Sequence, residues 1–404
     1  MKSMIDKELA IKLGEGTFKT PLILDKPVCL GTDICEKMKS QGEVISDFMS
    51  TVSHVARMAL KSENKTLKKL IFSELCEDTE REYYEKLPDE CWMMPDFFRT
   101  DQSVAGKIYE IQCPGSGWGD LYLLAQCYKN KGYFVDSLYF DFPQNYARII
   151  SEITGKEKPK VFHMLDAASV PHSMRYLMAI TADYISYWGI DEKVAMDNVD
   201  YVIAHSVKSL MASNFFRSYL KRCAAGELHF GISPNIIFDE KAIYALPFHR
   251  LTFDYFTDEI RNLFPFTTVI ENDGFFDENG VYHPIQDLMR SEKIYYLKYG
   301  GPDTDRNWGS RAVFRLKGNN IENYLNMACD KTRKGEVWLL QEDVSKKYPV
   351  GLSLDLEKLI AKKNHIKLSA YYGRNLVLGT KVMARHHFKV HGQNDTYVSI
   401  GIEK

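Results

Sequence analysis

Apolar positions at 34, 38, 45, 48, 49, 52, 55, 56 and 59 recur every three or four residues, which predicts a long amphipathic helix over 32–62. A shorter helix is expected over 67–75. The acidic run 74–90 reads as a solvated helix and loop. Residues 1–30 are short extended pieces interrupted by Pro21 and Pro27. At Phe97 the period changes to two. Phe-Phe-Arg-Thr-Asp-Gln, a turn at Ala105-Gly106-Lys107 and Ile-Tyr-Glu-Ile-Gln predict a β-hairpin over 97–112. A helix over 120–131 follows. A strand at 160–165, a helix over 170–188 and a strand at 199–204 then read as a βαβ unit, with room for a further strand at 189–198. Beyond it come a loop into a helix at 234–246, a turn into a strand at 264–270 and a turn-rich hairpin at 271–284. Strands are expected at 294–299, 337–344, 366–372, 375–386 and 396–402, with a helix over 320–332.

Bulk properties narrow the class. The 404 residues are 45% hydrophobic and 26% charged, with a formal net charge of −2. That composition suits a globular protein with an ample core, of two or three domains. There is no overall basic field to recruit nucleic acid or an anionic membrane. No apolar run reaches the roughly 18 residues of a membrane span, and residues 1–10 lack the apolar core of a signal peptide. The eight cysteines form no C-x-x-C pair and read as reduced thiols. A cytoplasmic location is therefore expected.

The hairpin carries the first candidate chemistry. Side chains alternate along a strand, so Arg99 shares a face with Asp101, and Glu110 with Gln112. If both faces coincide, two carboxylates, an amide oxygen and a guanidinium converge. Hard oxygen donors suit Mg²⁺, and arginine suits a phosphate or acyl-phosphate oxygen. A surface hairpin of alternating charges is the other reading of the same pattern. Cys113-Pro-Gly-Ser-Gly-Trp-Gly119 lacks the Gly-Lys-Ser/Thr ending of a phosphate loop, and with no histidine beside it in sequence Cys113 as a nucleophile would need a partner brought near by the fold. No G-x-G-x-x-G follows the first strand of the βαβ unit, and His163, His172 and His205 read as structural or capping residues. A strand bearing Lys298, then Gly300-Gly301 and a polar loop to Gly309-Ser310, reads as a nucleotide clamp or as a long-looped hairpin. The strand at 337–344 switches from apolar residues to Gln341-Glu342. Arg374 and Arg385 are candidate anion binders near the C-terminus.

Together these pieces resemble the ATP-grasp superfamily. The order, with Arg99-Thr-Asp101 and Tyr109-Glu110-Ile111-Gln112 ahead of Lys298, the glycine loop and Gln341-Glu342, is similar to its circularly permuted branch, that of the glutathionylspermidine synthetase ligase domain. Asn235 to Lys241, Phe264-Pro-Phe-Thr and Tyr397-Val-Ser-Ile-Gly-Ile402 resemble further pieces of that branch. Two departures stand out: Gln112 where asparagine is usual, and Pro302, Asp303 and Trp308 within the loop. The resemblance implies an α/β (α+β) fold, ATP-grasp-like and circularly permuted, with a doubly wound α/β domain inserted. It implies an N-terminal region at 1–95, the metal-binding hairpin and following helix at 96–135, the α/β domain at 136–235 and the nucleotide-binding subdomains at 236–404. It also implies a carboxylate–amine ligase using ATP and Mg²⁺ through an acyl phosphate, with an amino acid, peptide or polyamine among its substrates. Asp101, Glu110 and Gln112 would hold Mg²⁺, and Arg99, with Arg374 or Arg385, would meet the transferring phosphoryl group. Lys241 and Lys298 would bind phosphates, Gln341 and Glu342 the adenosine, and Gly300, Gly301, Gly309 and Ser310 would close over them. A small-molecule kinase and a non-catalytic nucleotide-binding or scaffold protein are the alternatives.

Overall fold

The computed structural model describes residues 22–24, 26–72, 87, 89–113, 117–164, 172–188, 199–204, 216–231, 236–301, 311–344, 365–385, 387, 389–390 and 396–403. Strands β1 (Leu22–Ile23) and β2 (Val28–Leu30) lead into helix α1 (Thr32–Lys61) and helix α2 (Lys65–Phe72). The hairpin β3 (Phe97–Gln102) and β4 (Ile108–Gln112) follows, then α3 (Trp118–Asn130) and α4 (Leu138–Thr154). The middle of the chain holds β5 (Lys160–Met164), α5 (His172–Thr181), β6 (Ser186–Trp188), β7 (Tyr201–Ala204), α6 (Phe216–Ala224) and β8 (His229–Phe230). After two 3₁₀ segments, Ile236–Asp239 and Lys241–Phe248, come α7 (Asp258–Leu263), β9 (Thr267–Val269), β10 (Gly274–Phe276) and β11 (Tyr282–Pro284). The chain continues with β12 (Tyr295–Tyr299), β13 (Val313–Arg315), α8 (Ile321–Arg333) and β14 (Trp338–Glu342), and closes with β15 (His365–Gly373), β16 (Leu376–Arg385) and β17 (Tyr397–Glu403).

Three sheets form. The largest runs β1-β17-β16-β15-β3-β4, with β2 also on β17. Its β1 and β2 are parallel to β17 and the remaining pairs antiparallel. The chain therefore enters this sheet early, leaves it after β4 and returns with its last three strands. The N-terminal strands belong to this sheet rather than to a separate region. A parallel sheet in the order β6-β5-β7-β8 makes the α/β unit. An antiparallel sheet in the order β13-β12-β14-β9 makes a smaller lobe. The fold is thus mixed α and β, as expected.

Local chemistry explains three departures from the sequence reading. The helix expected over 170–188 stops at Thr181, and the N–H of Tyr184 turns back to the Thr181 carbonyl. Ser186 to Trp188, a serine followed by two aromatic residues, then pairs as β6 on β5. The helix α4 escaped notice because Pro143 lies inside it, an unusual place for a residue that removes a backbone donor. The helix expected at 234–246 is 3₁₀ instead. Lys241–Phe248 contains Pro247 and buries every residue from Lys241 to Pro247, so it has no solvated face to favour an amphipathic α-helix. The possible strand at 189–198, most of the acidic run 74–90, Gly309 and Ser310 lie outside the described residues.

The two faces of the large sheet differ. One packs against α1, where Ile45, Phe48, Met49 and Val52 join Phe98, Leu368 and Tyr372 in one core. On the other, Phe97, Tyr371 and Ile400 meet Trp118, Leu121, Tyr139 and Tyr146 of α3 and α4. Those helices cover the end of the face nearest Phe97. Arg99 and Asp101 continue along the same face, toward the small antiparallel sheet.

Candidate functional site

The β3–β4 register sets Arg99 opposite Gln112 and Asp101 opposite Glu110, so all four lie on one sheet face. The turn that fixes this register is local. Ser103 and Lys107 are closed by a hydrogen bond from the Ser103 N–H to the Lys107 carbonyl, and Gly106 takes φ +79°, where glycine is favoured. The register shifts after Asp101, a bulge that pairs Gln102 with Ile108. On the other side, β15 places Tyr371 opposite Arg99 and Ser369 opposite Asp101. The next strand places Lys381 opposite Ser369.

Asp101 is the hub. It is 1% exposed. Lys367 Nζ donates to its Oδ2 at 2.7 Å and Ser369 Oγ to its Oδ1 at 2.7 Å. Arg99 Nη2 donates to Oδ2 at 3.3 Å. Burial alone would raise the Asp101 pKa, but the charges of Arg99 and Lys367 and the hydrogen bonds from Lys367 and Ser369 hold it well below the usual carboxylate range. Burial opposes the charge on Arg99 too; Asp101, Tyr371 and Glu110 outweigh it and raise its pKa. For Lys367 burial prevails and its pKa is lowered. At the α3 side, Lys381 Nζ donates to Asp120 Oδ2 at 2.8 Å, and Asp120 overcomes the effect of burial to raise the lysine's pKa.

The small sheet and the 3₁₀ segment Lys241–Phe248 bring a second set of cations to the same place. Lys298 on β12 is buried, with Nζ 2.5 Å from Gln341 Oε1 and 5.8 Å from the centre of the Tyr109 ring. Burial pushes its pKa down to about 8, opposed by Glu110 and Asp101. Lys241 Nζ lies 3.4 Å from Glu110 Oε1. The lobes are fastened here: Tyr244 Oη lies 2.5 Å from the Ile111 N–H and 3.2 Å from its carbonyl oxygen, and Lys107 Nζ donates to the Asn262 carbonyl at 2.7 Å. Five basic side chains, Arg99, Lys241, Lys298, Lys367 and Lys381, thus cluster with the carboxylates of Asp101, Glu110 and Asp120 between the two sheets. The excess of positive charge suits a polyanion.

The residues singled out in the sequence separate into groups. Arg99, Asp101, Glu110, Gln112, Lys241, Lys298 and Gln341 come together. Gly300 and Gly301 follow directly on β12, and the Gly300 carbonyl accepts from the Ala242 N–H at 3.3 Å. Gln341 is clamped between Lys298 and Thr267, whose Oγ1 accepts from its Nε2 at 3.1 Å. Glu342, one residue on, points to the opposite face, where Lys293 lies 4.0 Å away; strand alternation separates it from Gln341. Arg374 is not part of the cluster. It sits in the β15–β16 turn with φ +53°, beside Asp96 at the Phe97 end of the sheet. Asp96 there accepts from Tyr201 Oη at 2.9 Å, and burial lifts its pKa to about 6. Arg385 shares the face of Lys381 but lies at the end of β16, donating to the Lys389 carbonyl at 2.7 Å. Lys367, Ser369, Tyr371, Lys381 and Tyr109 were missed. A lone lysine inside Leu-Gly-Thr-Lys-Val-Met and the alternation Lys367-x-Ser369-x-Tyr371 were the available signals.

Asp101, Glu110 and Gln112 do not fit a three-donor magnesium site. Asp101 accepts from Lys367 and Ser369 at 2.7 Å and is flanked by the cations Lys367 and Arg99, whose charge opposes a divalent ion beside the same carboxylate. Among the described residues there is no group of three or more His, Cys, Asp or Glu side chains able to hold a metal. No described helix is long and apolar enough to cross a membrane.

No protein-family model matches the sequence, and no curated protein does. Solved structures do match. A glutathione synthetase-like effector from Globodera pallida, in its apo form, superposes with a TM-score of 0.53 at 12% identity, over 100% of this chain and 96% of that one. A candidate γ-glutamylcysteine synthetase from Methylobacillus flagellatus aligns over 90% of this chain and 87% of that one, at 9% identity and a TM-score of 0.43, too low to bear on the fold. The first likeness is one of fold, over the whole chain.

Proposed function

We propose that the chain is an ATP-dependent carboxylate–amine ligase of the circularly permuted ATP-grasp kind. The observation that carries this reading is the cluster in which Arg99, Lys298 and Lys367 from two sheets, with Lys241 from the 3₁₀ segment, surround Asp101 and Glu110. The likeness of fold to a glutathione synthetase-like effector supports it.

In this reading Lys241 and Lys298 neutralise the phosphates of ATP, and Gly300 and Gly301 let the chain pass close to them. Arg99 and Lys367 lie beside the γ-phosphate. Asp101 aligns those two cations rather than donating to a metal. A substrate carboxylate attacks the γ-phosphorus, the bond to the β-phosphate oxygen breaks, and ADP leaves. The amine then attacks the acyl carbon, phosphate departs and the amine loses a proton. Arginine, with its forked donors, suits both the acyl phosphate and the incoming carboxylate. The chemistry asks for positioning and charge neutralisation rather than a covalent intermediate on the protein.

Hydroxylamine tests this. The expected products from Mg²⁺-ATP, a panel of amino acids and short peptides, and hydroxylamine are ADP, phosphate and a hydroxamate with the correct acid. AMP and pyrophosphate would reject the mechanism, and a stable phosphorylated alcohol would make the protein a kinase. One observation favours a second reading, nucleotide binding without turnover. Asp101, the carboxylate expected to hold metal, is fully engaged by protein cations. That reading predicts ATP binding with no ADP released across the panel.

A further inference from the structure

Away from the basic cluster, at the Phe97 end of β3, three elements meet at Asp96. Its N–H donates to the Gly231 carbonyl, just past β8, at 3.2 Å, and its carboxylate accepts from Tyr201 Oη of β7 at 2.9 Å. Its own carbonyl accepts from the N–H of Arg374 in the β15–β16 turn. One residue thus ties the α/β unit to the large sheet through backbone and side chain. The fit is specific. Tyr201 is fully buried, and a Cβ at residue 231 would stand 2.6 Å from its hydroxyl, so the place requires glycine. Arg374 takes φ +53°, a conformation that a residue with a side chain keeps only where its surroundings hold it.

The carboxyl in this joint is poorly provided for as an anion. Its side chain is 13% exposed, and the close donor it has is a neutral hydroxyl. Arg374 is half exposed and keeps its Nε 3.7 Å away. Asp101, by contrast, holds a lysine and a serine at 2.7 Å. Burial with too few donors favours the neutral acid, and it raises the Asp96 pKa to about 6 against the pull of Tyr201 and Arg374. The other titratable groups around the joint are Tyr146 of α4, beside Tyr201, and His229 of β8, near Arg374. Burial keeps Tyr201 well above its usual range, and burial with the charge of Arg374 lowers His229. We propose that Asp96 is a pH-sensitive latch, which fastens the α/β unit to the large sheet in mild acid and slackens it as the pH rises. A carboxyl whose pKa is raised by folding contributes stability that is fully present below the ordinary aspartate value and is lost as pH rises through the folded one. A histidine lowered by folding acts in the opposite sense, destabilising as pH falls, so the direction of the change separates Asp96 from His229. The latch does not depend on nucleotide or on the ligase reading.

Hydrogen exchange of the full chain without nucleotide tests the proposal, at a series of pH values and corrected for the intrinsic rate at each. The amides of Asp96 and Arg374 report on the joint, and those of β12 and β14 serve as the reference. Where opening returns Asp96 to the ordinary aspartate value, protection at the joint should fall about tenfold from pH 5 to pH 7 and then level off, while the reference changes by less than about twofold. Asp96→Asn cannot ionise and should remove the fall. His229→Gln should leave it in place. Should Asp96→Asn not fold, Tyr201→Phe removes the hydrogen bond that favours the anion and should carry the fall to higher pH. Protection that is flat with pH in the wild type overturns the proposal, as does a fall that persists in folded Asp96→Asn or disappears in His229→Gln. An equal fall in β12 and β14, or a pH range unmoved in folded Tyr201→Phe, overturns it too.

Discussion

Asp101 shows how one buried carboxylate can organise several cations. Its two oxygens receive Lys367, Ser369 and Arg99, and the ionised form is strongly favoured despite burial. Asp101→Asn leaves two buried cations facing a neutral amide, and removing one partner of a buried ion pair costs about 3–5 kcal/mol. Chemical denaturation should report a loss of that size; a change below about 1 kcal/mol would mean that the pairs contribute little. The sign with pH follows from the depressed pKa. Stability from Asp101 is present above the unfolded carboxylate value and is lost as pH falls through the folded one, so the wild-type advantage over Asp101→Asn should shrink in acid. Lys298 behaves in the opposite sense. Its pKa is lowered to about 8, so its ammonium destabilises the fold below that pH and the penalty disappears as pH rises toward the unfolded value. A phosphate ligand needs that ammonium. ATP affinity should therefore fall between pH 7 and pH 9, and Lys298→Arg should flatten the profile over that range. A wild-type affinity that does not change over this range would remove Lys298 from the phosphate site.

At the level of elements, the site depends on how the hairpin is held between its neighbours. Tyr244 bonds both backbone groups of Ile111 and ties β4 to the 3₁₀ segment that carries Lys241. Tyr244→Phe leaves those buried groups without the hydroxyl, at a cost of about 1–3 kcal/mol, and should weaken ATP binding by loosening Lys241 against Glu110. Unchanged stability and affinity would show that the two elements hold together without it. The hairpin itself was legible because its period of two and its Gly106 turn are local signals. The return of β15 beside β3 was not: the two are more than 260 residues apart, and no local pattern states which strands pair. For that reason Arg374 looked as good an anion binder as any other residue, and Lys367, seated on Asp101, was passed over. Glu342 illustrates the same gap at shorter range, since adjacency to Gln341 in sequence places it on the other face of β14. The expected magnesium set had the right face and register but could not reveal that Asp101 was already engaged.

At the scale of the whole molecule, the large sheet carries carboxylates and cations on the same face as α3 and α4, and the small sheet brings Lys298 against them. The chain builds the large sheet from both ends of its sequence, with the α/β unit and the small lobe between. A triphosphate held in this cleft would neutralise its excess positive charge and draw the two sheets together, with a measurable gain in melting temperature. The central claim is that the cleft between these two sheets is the nucleotide site, and equilibrium titration of ATP into wild type and Lys298→Met addresses it without any knowledge of the acid or amine. The account predicts saturable binding by the wild type and at least tenfold weaker binding by a folded Lys298→Met. Equal affinity in the two proteins, or no ATP binding by the wild type, would contradict it.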